Sequence, residues 1–344
     1  MTKTLLTGGS GFVAGHVIDV LLQRGHSIVA TVRSQEKAQA IQAAHPSTPS
    51  DKLDFVVVPD IAASGAFQSL GSYGLEAVIH VASPASLIGP PKLQEHPRKD
   101  LIDPAVLGTT GVLRAIKESC PTAKRVVITS SFAAILDPRL ASTGTTKIYS
   151  ESDWSPLTLE DAYASPVNAY VVSKLMAERA AWDFMAQEKP NFTLSVMNPP
   201  MVYGPVRYPV KSLSSINTSN QLLAEVISGN HKDGLPPTAL PLWVDVRDAA
   251  LAHVKAMELD EAAGKRFFLT AGFSSNAKLA EIIWENFPEL REKLPEEGHW
   301  GGTPNPNLQS FGYDVSRAEE ILGLEWTPYE KTVVDSVKSL TMEY

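Results

Sequence analysis

TLLTGGSGFVAGHV, residues 4–17, runs from an apolar strand through a glycine-rich turn into the start of a helix. Gly9, Gly11 and Ala14 satisfy the spacing G-x-G-x-x-G/A, and Gly8 adds one more flexible position. Small residues are required here for three reasons. The turn is tight, the backbone must approach a pyrophosphate, and the helix must pack closely on the strand. The helix start then offers unpaired N–H groups and the positive end of its dipole to the phosphates. Gly8, Gly9, Ser10, Gly11, Phe12 and Val13 are therefore expected to cradle a dinucleotide.

Outward from this turn, short apolar runs alternate with helical patterns. Strands are expected at 3–7, 27–32, 53–58, 76–81, 125–129 and 193–198, with helices at 12–24, 35–44, 63–70, 104–118 and 167–188. Such alternation implies an α/β fold, a Rossmann-type doubly wound parallel sheet with helices on both faces. Runs such as KRVVITSS and LEAVIHVAS are apolar at successive positions, as strands buried on both faces should be. After residue 200 Pro and Gly become frequent and helices shorten, so a smaller C-terminal α/β lobe is expected to bind substrate across the strand ends. The expected division is a cofactor domain over 1–200 and a mainly substrate-binding lobe over 201–344. Residues 242–262 read as strand then helix, returning to the first domain.

The end of the second strand selects the nucleotide. An Asp or Glu there binds the ribose 2′-OH of NAD, whereas an Arg accommodates the 2′-phosphate of NADP. The chain reads SIVATVRSQEKAQ, with Arg33 at that place, 22 residues past Gly11, and Lys37 one helical turn later. A planar guanidinium with a second cation suits a phosphate dianion. The expected cofactor is NADP(H). Asp60 and Ile61, after the third strand, are expected to border the adenine, though Asp60 serves equally well as a helix cap.

NAYVVSK puts Tyr170 and Lys174 four residues apart, on one face of a helix. Of nine tyrosines only Tyr170 has a Lys at that offset. A phenol ordinarily titrates at about 10, and an ammonium beside one favours its ionised form. Such a pair is a usable general acid near neutral pH. VVITSSFAAI ends the fifth strand with Thr129, Ser130 and Ser131. A hydroxyl at the C-terminal end of a parallel strand points into the ligand crevice, and Ser131 is placed to donate to a substrate carbonyl.

Together the glycine turn, HVASP (80–84), TSS (129–131), YVVSK (170–174) and NPPMVYGP (198–205) resemble the extended short-chain dehydrogenase/reductases, in the branch of the dihydroflavonol 4-reductases. RSQEKA, VVPDI, SPVNAY, AERAAW and DVRDAALAH extend the likeness to the fungal NADPH-dependent methylglyoxal/3-methylbutanal reductase group. The resemblance implies NADPH-dependent reduction of aldehydes and ketones. It gives Tyr170 the proton transfer, Lys174 the ribose contact and tuning of the phenol, and Ser131 the polarisation of the carbonyl. It adds Pro199, Val202 and Ser219 as cofactor contacts. Ala85, Ser86, Phe132, Val167, Met201 and Tyr203 flank the motifs and are candidate substrate contacts, or ordinary core. One departure stands out. Many short-chain enzymes place an Asn on the helix corresponding to DPAVLGTTGVL, where it steadies a water chain behind the Lys, and this segment has none.

Composition bounds the remaining classes. A formal net charge of −8 argues against nucleic acid or an anionic membrane surface as partner. No apolar run is long enough to span a bilayer. The glycine turn arrives too early to leave room for a signal peptide, and the one cysteine, Cys120, excludes an internal disulfide, so a cytoplasmic protein is expected. The eight histidines show no metal-ligand spacing, and His16 and His80 read as packing residues. The expected partner is a small aldehyde or ketone, and the expected state a monomer or homodimer. Two other classes share the features: a nucleotide-sugar epimerase or dehydratase, against which Arg33 speaks, and a non-catalytic NADP-sensing module, against which the retained Tyr and Lys speak.

Overall fold

The computed structural model describes residues 1–63, 65–83, 96–142, 146–208, 216–303 and 311–341. Its strands are β1 (Lys3–Thr7), β2 (Ser27–Val32), β3 (Leu53–Val57), β4 (Ala77–His80), β5 (Arg125–Thr129), β6 (Lys147–Tyr149), β7 (Thr193–Asn198), β8 (Met201–Tyr203), β9 (Leu242–Asp245), β10 (Arg266–Phe268), β11 (Gly272–Phe273) and β12 (Phe311–Tyr313). The α-helices are α1 (Phe12–Gln23), α2 (Gln35–Ala44), α3 (Asp103–Ser119), α4 (Pro166–Glu188), α5 (Thr218–Ile227), α6 (Val246–Glu258), α7 (Asn276–Asn286), α8 (Ser316–Leu322) and α9 (Tyr329–Thr341).

Seven strands form one parallel sheet in the order β10-β7-β5-β4-β1-β2-β3. Successive side chains alternate between its faces. Leu6, Ile28, Ala30, Ile79 and Val127 pack with α1 and α6, while Leu5, Val29, Val78, Val126 and Ile128 pack with α3 and α4. Strand order reverses between β1 and β4, and this switch point opens the crevice in which such sheets bind ligands. A separate apolar core joins α5, α7 and α9 through Leu223, Ile227, Leu279, Ile283, Val333 and Val337. Two small sheets, β11-β9-β8 and β12-β6, lie outside the main one.

Three differences from the sequence expectations have physical causes. The helix expected over 63–70 is a 3₁₀ segment at Gln68–Tyr73. Gly65, Gly71 and Gly74 interrupt that stretch, and each lowers α-helix propensity. The segment expected to return as strand and helix divides its allegiance. Helix α6 packs on α1, but β9 pairs with β8 and β11 rather than with the main sheet. The seventh strand of the main sheet is β10, where no strand was expected. Its three residues are too few to show a period, and β7 supplies the pairing that fixes them. No described helix is long and apolar enough to cross a membrane.

Candidate active site

The glycine turn follows β1 at the switch point. Gly8 has φ of +73°, open to glycine without strain, and a Cβ there would lie 3.1 Å from Ala82. A Cβ on Gly9 would meet that of Ala30 at 3.0 Å. The Gly8 and Gly9 amides donate to Thr31 Oγ1 and the Thr31 carbonyl, and Gly11 N donates to Gly8 O. Gly11 caps α1 without any side-chain hydrogen bond, and no acidic residue stands in the first turn. The opening N–H groups of α1, including those of Phe12 and Val13, thus lack a side-chain acceptor, while Ser10 is half-buried beside them. This cradle fits a pyrophosphate in backbone conformation, in space and in charge.

Arg33 follows β2 directly and Lys37 lies in the first turn of α2, whose cap is Ser34. Both are exposed, and neither has an ion-pair partner among the described residues. Asp60 is exposed, and its Oδ1 accepts from Ala62 N at 2.9 Å, a local turn cap. Ile61 packs against the core beneath β3.

Helix α4 begins at Pro166, with Ser165 Oγ accepting from Asn168 N at 3.1 Å. Proline at the first helical position and a serine cap fix this start. Tyr170 and Lys174 follow on one face. The Lys174 ammonium sits 5.6 Å from the Tyr170 ring centroid and donates to Ser83 Oγ at 3.0 Å. Behind it lies a small polar cavity of about 20 Å³, lined by His80, Ser83, Thr109, Ser130, Lys174 and Glu178 among others. That is room for about one water. Thr109 stands on α3, the helix that carries no Asn, and brings a hydroxyl to the same place.

Ser131 lies two residues beyond the end of β5 and caps a 3₁₀ turn, its Oγ accepting from Ala133 N at 3.1 Å. Its hydroxyl hydrogen is thereby left to point elsewhere. Ser131 and Tyr170 line a cleft of about 650 Å³ whose walls are largely apolar: Phe132, Leu136, Val167, Met201 and Leu222, with Tyr203 and Ser219. Phe132 is 1% exposed and stacks on Phe268 at 4.8 Å between ring centroids, so it serves core and wall together. Val167 is 56% exposed and stands at the rim. The Ser219 hydroxyl donates to the Val202 carbonyl, tying α5 to β8, and Val202 packs on the main core. Pro199 is buried and its carbonyl accepts from Phe132 N. Ala85 and Ser86 lie outside the described residues.

The cleft also holds a rival that sequence spacing missed. Lys147 Nζ lies 4.8 Å from the ring centroid of Tyr149, two residues along β6 and on the same face. The spacing Lys-Ile-Tyr, i and i+2 along a strand, is the local signal for it. This pair is otherwise engaged. The Tyr149 hydroxyl meets the backbone of Asp137, burial raises the phenol above its ordinary value, and Lys147 is paired with Asp153 at 2.8 Å. The third phenol, Tyr203, is pushed up to about 12 by burial. Two buried histidines flank the strand ends. His80 Nδ1 meets Thr7 Oγ1 and His253 Nε2 meets Thr129 Oγ1, both at 2.7 Å, and burial lowers each to about 4. Among the described residues no group of His, Cys, Asp or Glu could hold a metal ion.

A glycine cradle at the switch point, with a serine just beyond β5 and a tyrosine opening on one cleft and a lysine behind that tyrosine, defines an extended short-chain dehydrogenase/reductase. The chain belongs to the NAD dependent epimerase/dehydratase family, whose sequence model matches residues 4–269. It is 40% identical to the ketoreductase azaE of Aspergillus niger over 98% of this chain and 97% of that one. To the NADPH-dependent methylglyoxal reductase GRE2 of Saccharomyces cerevisiae it is 31% identical, over 98% of each. The crystal structure of Gre2 from Candida albicans in complex with NADPH superposes with a TM-score of 0.88 at 32% identity, covering 99% of this chain and 98% of that one.

Proposed function

We propose that this protein is an NADPH-dependent carbonyl reductase acting on an aldehyde or ketone with an apolar body, with Tyr170 as proton donor. The observation that carries the reading is geometric. Ser131 and Tyr170 face one apolar cleft, while Lys174 stands behind Tyr170 with its ammonium against the ring.

NADPH, when bound, supplies the hydride. The glycine turn and the start of α1 hold the pyrophosphate, and Arg33 with Lys37 takes the 2′-phosphate. Lys174 would reach a ribose hydroxyl while its ammonium stands beside the Tyr170 ring. Ser131 donates to the carbonyl oxygen, and Tyr170 gives the same oxygen its proton as negative charge develops there. The cavity behind Lys174 admits a water through which the proton is replaced. The smaller C-terminal lobe contributes the wall that recognises the substrate body, through Met201, Tyr203 and Leu222.

The cleft itself argues for the substrate class. Its volume falls in the range that takes drug-sized ligands, far larger than a three-carbon aldehyde needs. A nucleotide sugar would require cations for its diphosphate, and the one cation lining the cleft among the described residues, Lys147, is already paired with Asp153. That counts against the epimerase reading.

The test is a carbonyl panel with NADPH, from methylglyoxal to aryl ketones and a dihydroflavonol, followed by loss of nicotinamide absorbance. Bulky apolar ketones should rank above methylglyoxal in kcat/KM. Tyr170→Phe should lower turnover by about 10²–10⁴-fold, with NADPH binding by fluorescence titration nearly unchanged. Near-normal turnover in Tyr170→Phe would transfer the role to another group, and loss in Tyr149→Phe would identify the rival pair.

A further inference from the structure

Glu178 lies one helical turn beyond Lys174 on α4 and is wholly buried. A buried carboxylate without partners would be strongly unfavourable, and this one gathers four donors. Oε1 accepts from Arg266 Nε at 2.5 Å and, more distantly, from Trp182 Nε1 at 3.4 Å. Oε2 accepts from Ser130 Oγ at 2.5 Å and Asn198 Nδ2 at 2.8 Å. Ser130 directly follows β5, Asn198 closes β7 and Arg266 opens β10, three neighbouring strands of the main sheet. Arg266 is locked from its other side, with Nη1 donating to the carbonyls of Glu151 and Asp153 and the guanidinium 3.7 Å from the Trp154 ring centroid.

The decisive atom is Asn198 Nδ2. Its two hydrogens serve Glu178 Oε2 and the backbone carbonyl of Ser131, the latter at 3.2 Å. Asn198 Oδ1 has no hydrogen-bond partner among the described residues. The amide is therefore oriented by the carboxylate and by the Ser131 carbonyl alone. We infer that Glu178 is a positioning residue: through Asn198 and Ser130 it fixes the Ser131 backbone relative to the helix that carries Tyr170 and Lys174. The inference rests on the reading of Ser131 as the carbonyl-polarising group. A displacement of about 1 Å in such a constellation costs up to roughly 100-fold in rate, which makes the link worth a buried ion pair whose contribution to stability alone is doubtful.

Glu178→Gln separates positioning from packing, because it keeps the volume and replaces one acceptor by a donor. A Gln Nε2 facing Asn198 favours rotation of the amide, which brings Oδ1 to Gln Nε2 and withdraws Nδ2 from the Ser131 carbonyl. Turnover should fall by roughly 10–100-fold, while the carbonyl KM and the NADPH dissociation constant move by no more than about twofold. The same substitution on a Ser131→Ala background should add little further loss, since both act through one group. Glu178→Met/Arg266→Met removes the whole pair and restores thermal stability, yet turnover should stay low because Asn198 still lacks its acceptor. If Glu178→Gln fails to fold, Ser130→Ala, which deletes one donor to the carboxylate, takes its place in the same cycle.

Losses that multiply between Glu178→Gln and Ser131→Ala would overturn the inference, as would turnover that recovers with stability in the double Met variant. Ser131→Ala with normal turnover would overturn the reading of Ser131 itself, and the inference with it, while leaving Tyr170 untouched.

Discussion

Arg33 and Lys37 are two exposed cations without an ion-pair partner among the described residues, placed after β2 and in the first turn of α2. On the proposed function their charge serves the 2′-phosphate of the cofactor. Arg33→Ala should weaken NADPH by about 1.5–3 kcal/mol, the range of a hydrogen bond to a charged group. NADH, which lacks the phosphate, should be nearly unaffected. Parallel titrations of both cofactors check this, and equal weakening would remove the 2′-phosphate assignment. At the same scale three phenols line the cleft, and their environments separate them. Tyr149 is held by the Asp137 backbone and Tyr203 is pushed up by burial, which leaves Tyr170 beside its ammonium. Tyr149→Phe should therefore retain most of the turnover. The Tyr170–Lys174 pair was legible because helix geometry is encoded in the local spacing. The competing Lys147–Tyr149 pair is equally local, but its engagement with Asp137 and Asp153 is visible only once the chain has folded.

Helix α4 carries Tyr170, Lys174 and Glu178, so its start governs the proposed site. Ser165 caps it, Pro166 opens it, and Tyr170 follows within about a turn and a half. Ser165→Ala removes the acceptor for Asn168 N and should cost about 1 kcal/mol of stability. Fraying of the first turn should also lower turnover, by less than tenfold, because Lys174 and Glu178 lie further along the helix. Thermal denaturation and steady-state rates on one preparation check both. Elements of this length were readable from their caps and apolar periods, and β1, β2, β5 and α2 fall on their expected bounds. Short elements were not. β10 has three residues and exists because β7 offers it an edge, and the small β12-β6 pair joins segments whose sequence carries no signal of each other.

For the whole molecule, the buried histidines make stability depend on pH. His80 and His253 are lowered to about 4 by burial, from an ordinary value of 6.5. Folded, they stay neutral, and the unfolded chain protonates them first. Their contribution is present in full above about pH 6.5 and is lost as pH falls from there toward 4, by up to about 1.4 kcal/mol per pH unit for each group. Denaturant midpoints measured from pH 7 to 4.5 should decline steadily, and a flat profile across that window would contradict the neutral assignment. What the sequence by itself determined is whatever neighbours along the chain can write: the glycine turn, the cation after the second strand, the Tyr–Lys spacing and the alternation that makes a parallel sheet. The tertiary structure alone decided the apolar cleft, whose walls come from the turn after β5 and from β6, α4, β8 and α5, and the ion pair of Glu178 with Arg266, 88 residues apart. Those features depend on which distant segments meet, and that is settled by burying apolar surface over the entire fold rather than by any local pattern.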